Sequence, residues 1–444
     1  MTLATLDEIL DARERRVKDR QAMLDRHGVP VVSLTMNIAG PRKTSPLIYR
    51  AFLHGAREIE RAVNALGLVG RRVNTDAVEY YALYAVDADK HKLKELAQGI
   101  EETSPIGRIL DIDVVGRDGV GLSRTAPRGC IVCGKAGRAC ARSRAHSADE
   151  VYRVTAEMLD RGLMLLDADK IASLASASLI REVDTTPKPG LVDLSGNGSH
   201  RDMTPEVFYK SAAALLPYFR DCFLVGHESR ALTGHEAFLR LRERGIRAEG
   251  EMLAATGGVN THKGAVYSFG ILLGALGRLW RADTPIAKLR DVLGEARQIA
   301  SAAADEDLAS ADGSTAGTRY YLSHGVRGIR GEAQDGFPHV ADVALPAYRY
   351  AERLGADPNE AGLYALLSLI ASVEDTCLYK RGGEEGVRYA RDAAERLLKR
   401  GGLPDARDYS LLDGEFIRRN LSPGGCADLL ALTYFALSLE AFDE

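Results

Sequence analysis

The stretch ADEVYRVTAEMLDRGLMLLDAD, residues 148–169, marks a change of texture and decides the fold class. Apolar residues recur at helical spacing from Ala148 to Leu165, and the acidic triplet Asp167–Ala168–Asp169 then reads as a turn. Upstream, segments rich in β-branched and aromatic residues alternate with helical patterns. The strand candidates are Val29–Ile38, Val78–Val86 and Ile109–Val115, and the helix candidates between them are Ile48–Leu66 and Leu93–Gln98. Downstream, strand signals nearly vanish. Val207–Phe219, Ile286–Ala303, Val340–Leu354, Leu363–Val373 and Arg388–Leu398 carry helical periodicity. The expectation is a multidomain chain, with an N-terminal α/β domain over residues 1–167 and an all-α C-terminal domain over 168–444.

Composition narrows the function classes. A chain of 444 residues, 45% hydrophobic and 27% charged, suits a globular protein of two or three domains. A net charge of -4 gives no global reason to bind nucleic acid. Residues 1–22 are charged from Asp7 to Arg20 and lack the apolar core of a signal peptide. No apolar run reaches the roughly 18–20 residues that span a bilayer, so a cytoplasmic protein without a membrane partner is expected. Six cysteines then read as thiols or metal ligands rather than disulfides.

Five islands of glycine and charge interrupt the Ala- and Leu-rich C-terminal half. They are TTPKPGLVDLSGNGSHRDM (185–203), GGVNTHKG (257–264), RGIRGEAQDGFP (327–338), DTCLYKRGG (375–383) and NLSPGGCADLL (420–430). Helix ends expose unpaired N–H groups and glycine admits close approach, so the islands predict one phosphate- and sugar-binding site built from several helix ends. Candidate carboxylates for Mg²⁺ or base duty are Glu182, Asp193, Asp202, Glu332, Asp335 and Asp375. Candidate phosphate ligands are Lys188, Asn197, His200, Arg201, Asn260, His262, Lys263, Arg327, Arg330, Lys380, Arg381 and Asn420. Gly424 and Gly425 precede a helix expected to start near Ala427, with Ser422 as a possible cap. Lys263 follows no strand and lacks the Gly-Lys-Ser/Thr order, so a P-loop is rejected. His324 and His339 read as structural. Trp280 and the thiols of Cys222, Cys377 and Cys426 read as packing.

In the N-terminal half the sharpest signal is GRILDIDVV (107–115). On a strand, Asp111 and Asp113 share one face while Leu110, Ile112 and Val114 take the other. Two adjacent carboxylates repel, and a divalent metal such as Mg²⁺ relieves that; a hydrated edge strand is the plain alternative. The segment from Arg128 to His146 holds Cys130, Cys133, Cys140 and His146, a possible tetrahedral zinc set whose outer spacing is not a common one. Buried thiols in a basic loop are the other reading. Arg108, Arg124, Arg128, Lys135, Arg138, Arg142 and Arg144 surround it, and Arg42 and Lys43 follow a strand in MNIAGPRK (36–43); these suit diphosphate or an acidic protein.

GRILDIDVV, RGCIVCGKAGRACARSRAHS and MNIAGPRK together resemble the apo-citrate lyase phosphoribosyl-dephospho-CoA transferase family, over about residues 10–165. EVDTTPKPGLVD, NGSHRDM, GVNTHKGAVYSFG, RGIRGEAQDGFP and NLSPGGCADLL resemble triphosphoribosyl-dephospho-CoA synthase, over about 170–440. The resemblance implies a two-step fusion. The C-terminal half would join ATP and 3′-dephospho-CoA with loss of adenine. The N-terminal half would pass the phosphoribosyl-dephospho-CoA unit to a serine of the citrate lyase acyl carrier subunit, releasing diphosphate. It also implies a nucleotidyltransferase-like α+β layout with Mg²⁺ on Asp111 and Asp113, although the Gly-Ser turn usual in that fold is replaced by Gly107–Arg108. Two alternatives remain: the same chemistry for the malonate decarboxylase carrier, or an N-terminal half that only docks the carrier.

Overall fold

The computed structural model describes residues 4–124, 127–309, 320–323 and 325–443, without the side chains of 302–309. Contacts divide the chain into two compact units, Met1–Asp167 with Arg281–Pro285, and Ala168–Trp280 with Ile286–Glu444. No turn separates them. Helix α5 in chain order runs unbroken from Ala148 to Asp184. Asp167 and Asp169 are helical residues, ion-paired to Arg50 at 2.6 Å and Arg220 at 2.5 Å. The acidic triplet carries no glycine or proline to stop the helix, and Ala- and Leu-rich sequence continues it. Gly162, inside it, admits the turn at Pro105 and Ile106: a Cβ there would sit 2.6 Å from Ile106 Cγ2.

The first unit is α+β. Strands β1 (Val31–Met36), β2 (Leu68–Thr75), β3 (Tyr80–Val86) and β4 (Leu110–Val115) form one antiparallel sheet in the order β2-β3-β1-β4. The sheet is thus not the parallel one an α/β reading favours. β2 was absent from the sequence expectation because LVGRRVNT mixes charge and glycine on a half-exposed strand. Ile48, Phe52 and Ile59 of α2 (Pro46–Asn64) and Leu93 and Ala97 of α3 (Lys90–Thr103) are buried on the helices that cover the sheet. Met23 and Leu24 of α1 (Leu6–His27) pack with Val31, Leu83, Ala85 and Val115 on the face that also bears Asp111 and Asp113.

Within its described residues, the second unit is helical. In order its helices are α6 (Pro205–Glu228), α7 (Gly234–Ala255), α8 (Lys263–Leu279), α9 (Leu289–Ala309), α10 (Gly328–Gln334), a π-helical turn His339–Ala344, α11 (Leu345–Arg353), α12 (Pro358–Ser372), α13 (Thr376–Leu398), α14 (Ala406–Arg418) and α15 (Gly424–Glu440). The core helices α8 and α15 are apolar nearly all round, as central helices should be. Trp280 is buried beside Phe223 and His227, a packing residue as expected. No single helix among the described residues is long and apolar enough to cross a membrane.

Candidate functional site

All five islands meet. Residues from each line one cavity of about 1100 Å³ in the second unit, so the helix ends converge although they lie up to 240 positions apart. His200 and Asp202 come from the first island, Asn260, His262 and Lys263 from the second, and Arg327, Glu332 and Asp335 from the third. Asp375, Lys380 and Arg381 come from the fourth, and Ser422, Gly424, Gly425 and Asp428 from the fifth. Asn197, Arg330 and Asn420 are outside the lining, and Asn420 holds a left-handed backbone at φ 57°. His324 falls outside the described residues.

The cations of the sequence expectation differ in state. Lys188 is fully buried behind the cavity wall, its ammonium bonded to the carboxylate and carbonyl of Glu182. Lys263 pairs with Glu249 at 2.8 Å, and Arg327 pairs with Asp335. Arg381 is different. Its guanidinium donates to the Ser199 carbonyl at 2.9 Å, Asn420 Oδ1 at 2.9 Å and His200 Nδ1 at 3.0 Å, all uncharged groups. Among the described residues its charge therefore has no acidic partner at the cavity wall, which suits a phosphate.

Neither histidine is a cation. His200 accepts from Arg381 through Nδ1, which leaves Nε2–H to donate to Ser422 Oγ at 2.9 Å. Burial first, and the Arg381 charge second, push its pKa down to about 4. His262 is buried, and burial pushes it down to about 3. Thr261 donates to Ser211 Oγ at 2.7 Å, so the Ser211 hydroxyl donates onward to His262 Nδ1, also at 2.7 Å. Nε2 then carries the proton and has no hydrogen-bond partner. A fixed, neutral N–H donor is the result.

The carboxylates also separate by job. Asp375 caps two helices at once: Oδ1 accepts from Cys377 N at 2.7 Å and Leu378 N at 3.2 Å, and Oδ2 accepts from Cys426 N at 2.9 Å. The N-terminus of α15, expected as an anion site, is therefore already filled by the protein's own carboxylate. Helix α15 begins at Gly424, and Ser422 serves His200 instead of capping it. The two glycines make room for this junction, since a Cβ on Gly425 would lie 3.1 Å from Asp375 Oδ2 and one on Gly424 would lie 3.0 Å from Cys377 Sγ. Asp193 holds its own turn through Lys188 N and Ser195.

Three residues depart from the sequence reading. Cys377 is no core thiol; it is exposed to the cavity, and the surrounding protein raises its pKa. His339 lies in the cavity lining, with Nδ1 bonded to Glu332 Oε1 at 2.5 Å, a contact that raises the imidazole pKa. Asp428 was missed. It lines the cavity, and enclosure by protein, then the charges of Glu182 and Asp375, raise its carboxyl well above the ordinary range. A Cβ on Gly264 would come within 1.9 Å of Asp428 Oδ2, so the glycine of THKG lets this carboxylate sit beside the start of α8.

In the first unit Asp111 and Asp113 alternate with buried Leu110 and Ile112, opposite Thr35 and Ser33 of β1. Packed protein first and the Asp113 charge second raise the Asp111 carboxyl. β4 is an edge strand, and side chains satisfy its outer edge: Arg128 donates to the Leu110 carbonyl at 2.8 Å, Lys94 to the Ile112 carbonyl at 3.2 Å, and Ile112 N donates to Glu101 Oε1 at 2.8 Å. Arg124 and Arg128 both pair with buried Glu101, so two members of the basic run have a structural commitment. Arg108 donates to the Gly129 carbonyl at 2.5 Å, whereas Arg142 and Arg144 are exposed. Arg42 lies over the Tyr152 ring, and Lys43 donates to the Ile38 carbonyl.

Comparison with known proteins covers nearly all of the chain. Residues 168–444 match the family model described as ATP:dephospho-CoA triphosphoribosyl transferase. Residues 4–162 match that of apo-citrate lyase phosphoribosyl-dephospho-CoA transferase. Proteins named CitXG from Leuconostoc mesenteroides and Haemophilus influenzae are each 33% identical across 98% of this chain, covering 97% and 96% of their own lengths. A 2-(5″-triphosphoribosyl)-3′-dephosphocoenzyme-A synthase of Klebsiella pneumoniae is 40% identical over 62% of the chain and 93% of its own length. The N-terminal match favours citrate lyase over the malonate decarboxylase alternative. The chain belongs to the ATP:dephospho-CoA triphosphoribosyl transferase family and carries an apo-citrate lyase phosphoribosyl-dephospho-CoA transferase half fused ahead of it.

Proposed function

We propose that residues 168–444 join ATP to 3′-dephospho-CoA in the five-island cavity, and that residues 1–167 attach the product to the acyl carrier subunit of citrate lyase. The carrying observation is the cavity. About 1100 Å³ exceeds the roughly 300–1,000 Å³ typical of one drug-sized ligand and suits two nucleotides held together. In the first reaction the 2′-hydroxyl oxygen of dephospho-CoA bonds to the anomeric carbon of ATP's ribose as the bond to adenine breaks. The hydroxyl proton passes to a base, and the departing adenine takes up a proton. Arg381 holds the triphosphate with Lys380 beside it, since among the described residues its guanidinium meets neutral partners. Asp428 is the base: it opens onto the cavity, and enclosure by protein raises its carboxyl well above the ordinary range, which makes the carboxylate a stronger proton acceptor. His262 directs its neutral Nε2–H at the leaving base as a hydrogen-bond donor, and the proton that adenine takes up comes from solvent. Glu332, Asp202 and Asp335 then serve at the rim, and Asp375 holds the helix ends together.

In the second reaction a carrier serine oxygen bonds to the α-phosphorus of the triphosphate as the bond to diphosphate breaks. Asp111 and Asp113, beside Thr35 and Ser33, supply hard oxygen donors, and their mutual repulsion is what a divalent cation relieves. Those two carboxylates would hold Mg²⁺, which when bound neutralises charge on the diphosphate leaving group. A carboxylate pair on one strand of an α+β sheet supports a nucleotidyltransferase-like assignment for this half. Purified full-length protein supplied with ATP and dephospho-CoA should release free adenine. Supplied with synthetic triphosphoribosyl-dephospho-CoA and apo carrier, it should release diphosphate and a mass-shifted carrier. Release of ADP from the first mixture, or an unmodified carrier in the second, defeats the corresponding half.

A further inference from the structure

The segment from Gly121 to His146 has no obvious reason to hold a shape. No described residue in it is buried, and helix α4, Gly137–Ser143, contributes nothing to a core. Segments this poor in apolar contacts need a cross-link to stay ordered. We propose that Cys130, Cys133, Cys140 and His146 bind a structural zinc ion, and that this metal fastens the arginine loop to the strand bearing Asp111 and Asp113.

The four ligand atoms all lie within 4.8 Å of one another, and the Cys133 and Cys140 sulfurs are 3.5 Å apart. A tetrahedral zinc with bonds of about 2.3 Å to sulfur sets its sulfurs roughly 3.8 Å apart, so small shifts complete the site. The backbone is shaped for it. Cys130 N donates to the Lys135 carbonyl at 2.6 Å, and Gly134 N donates to the Cys130 carbonyl at 2.9 Å. Gly134 takes φ 72°, and a Cβ on Gly129 would sit 2.7 Å from the Gly134 carbonyl oxygen. This tight turn brings the sulfurs of Cys130 and Cys133 together, while Cys140 stands on the first turn of α4. His146 completes the set. Its Nδ1 lies 3.4 Å from Glu150 Oε2, and its buried Nε2 has no hydrogen-bond partner among the described residues. A carboxylate behind a ligating imidazole is the usual outer support of a zinc histidine. Three sulfurs and one imidazole nitrogen select zinc over the hard cation expected at Asp111. The thiols are half-buried or exposed, which disposes of the buried-thiol reading.

The consequence runs through Gly129 and Arg128, next to Cys130. Arg108 donates to the Gly129 carbonyl at 2.5 Å, while Arg128 holds the Leu110 carbonyl at 2.8 Å and Glu101 Oε1 at 2.8 Å. Losing the metal would release this clasp from β4 beside Asp111. The proposal rests on the transfer function assigned to the first half only for its activity readout. Full-length protein purified under reducing conditions should carry close to one zinc per chain by metal analysis. His146→Ala and Cys133→Ser should lose it, and His146→Cys, which offers a fourth thiolate, should keep it. Removing zinc with a zinc-selective chelator while Mg²⁺ is kept in excess should speed amide exchange across 128–146 and abolish carrier modification while adenine release continues. Zinc far below stoichiometry that added zinc does not restore overturns the proposal, as does a Cys133–Cys140 disulfide in the protein as isolated. Full metal content with unchanged exchange after chelation overturns the fastening role. Normal zinc together with an unmodified carrier in every condition would instead indict the transfer assignment.

Discussion

The two candidate sites are built by opposite logics. In the first unit a strand presents Asp111 and Asp113 together on one face, fixed by alternation, while nearby arginines serve the fold. In the second, loops and helix ends bring distant residues to one cavity, and each charged residue takes its state from whatever packs beside it. A strand displays its chemistry in its sequence. A cavity made of helix ends displays its membership but conceals its roles.

The sharpest way to break this comparison is to disable one site alone. Asp111→Asn with Asp113→Asn should cut carrier modification by about 10³-fold, as loss of transition-state charge stabilisation does, with adenine release unchanged. A parallel fall in adenine release would mean the sites are not separate. Asp428→Asn should do the reverse, cutting adenine release by about 10²–10⁴-fold, the usual worth of a general base. Transfer from supplied intermediate should persist. In the wild type, the acid limb of adenine release should lie above the ordinary carboxylate range, because the base works only once deprotonated and its pKa is raised.

Next comes the wall behind the cavity. Lys188→Met leaves Glu182 buried without its partner and should cost about 3–5 kcal/mol in urea unfolding; pairing it with Glu182→Leu should recover most of that. The last prediction concerns pH. His262 titrates at about 3 in the folded protein against roughly 6.5 unfolded, so the unfolded chain takes up the proton first as pH falls. Its contribution to stability is present above pH 6.5 and is lost toward pH 3. His262→Gln should therefore flatten the acid side of the stability profile relative to wild type. An identical slope would mean the imidazole is solvated and no fixed donor.

Much of the architecture was legible because periodicity is a local property. The strands around Leu34, Leu83 and Ile112, the long C-terminal helices and the gathering of the islands all follow from pattern. What escaped depended on distant partners. Lys188 looks like any phosphate ligand until Glu182 is seen beside it, and His262 looks cationic until burial and the Ser211 hydroxyl make it a neutral donor. The triplet at Asp167 looked like a turn because charge suggests one, but nothing in it breaks a helix. Asp428 was hidden inside an island whose glycines drew attention to its backbone.

The junction at Asp375 has a consequence for how this sequence can drift. One carboxylate closes two helices, and a side chain at 425 would crowd that carboxylate while one at 424 would crowd the Cys377 sulfur. A larger side chain at 425 displaces the acid at 375, and replacing that acid leaves three N–H groups without their acceptor. Either single step therefore costs what the paired change would avoid. Across relatives, positions 375, 424 and 425 should therefore be inherited as a block.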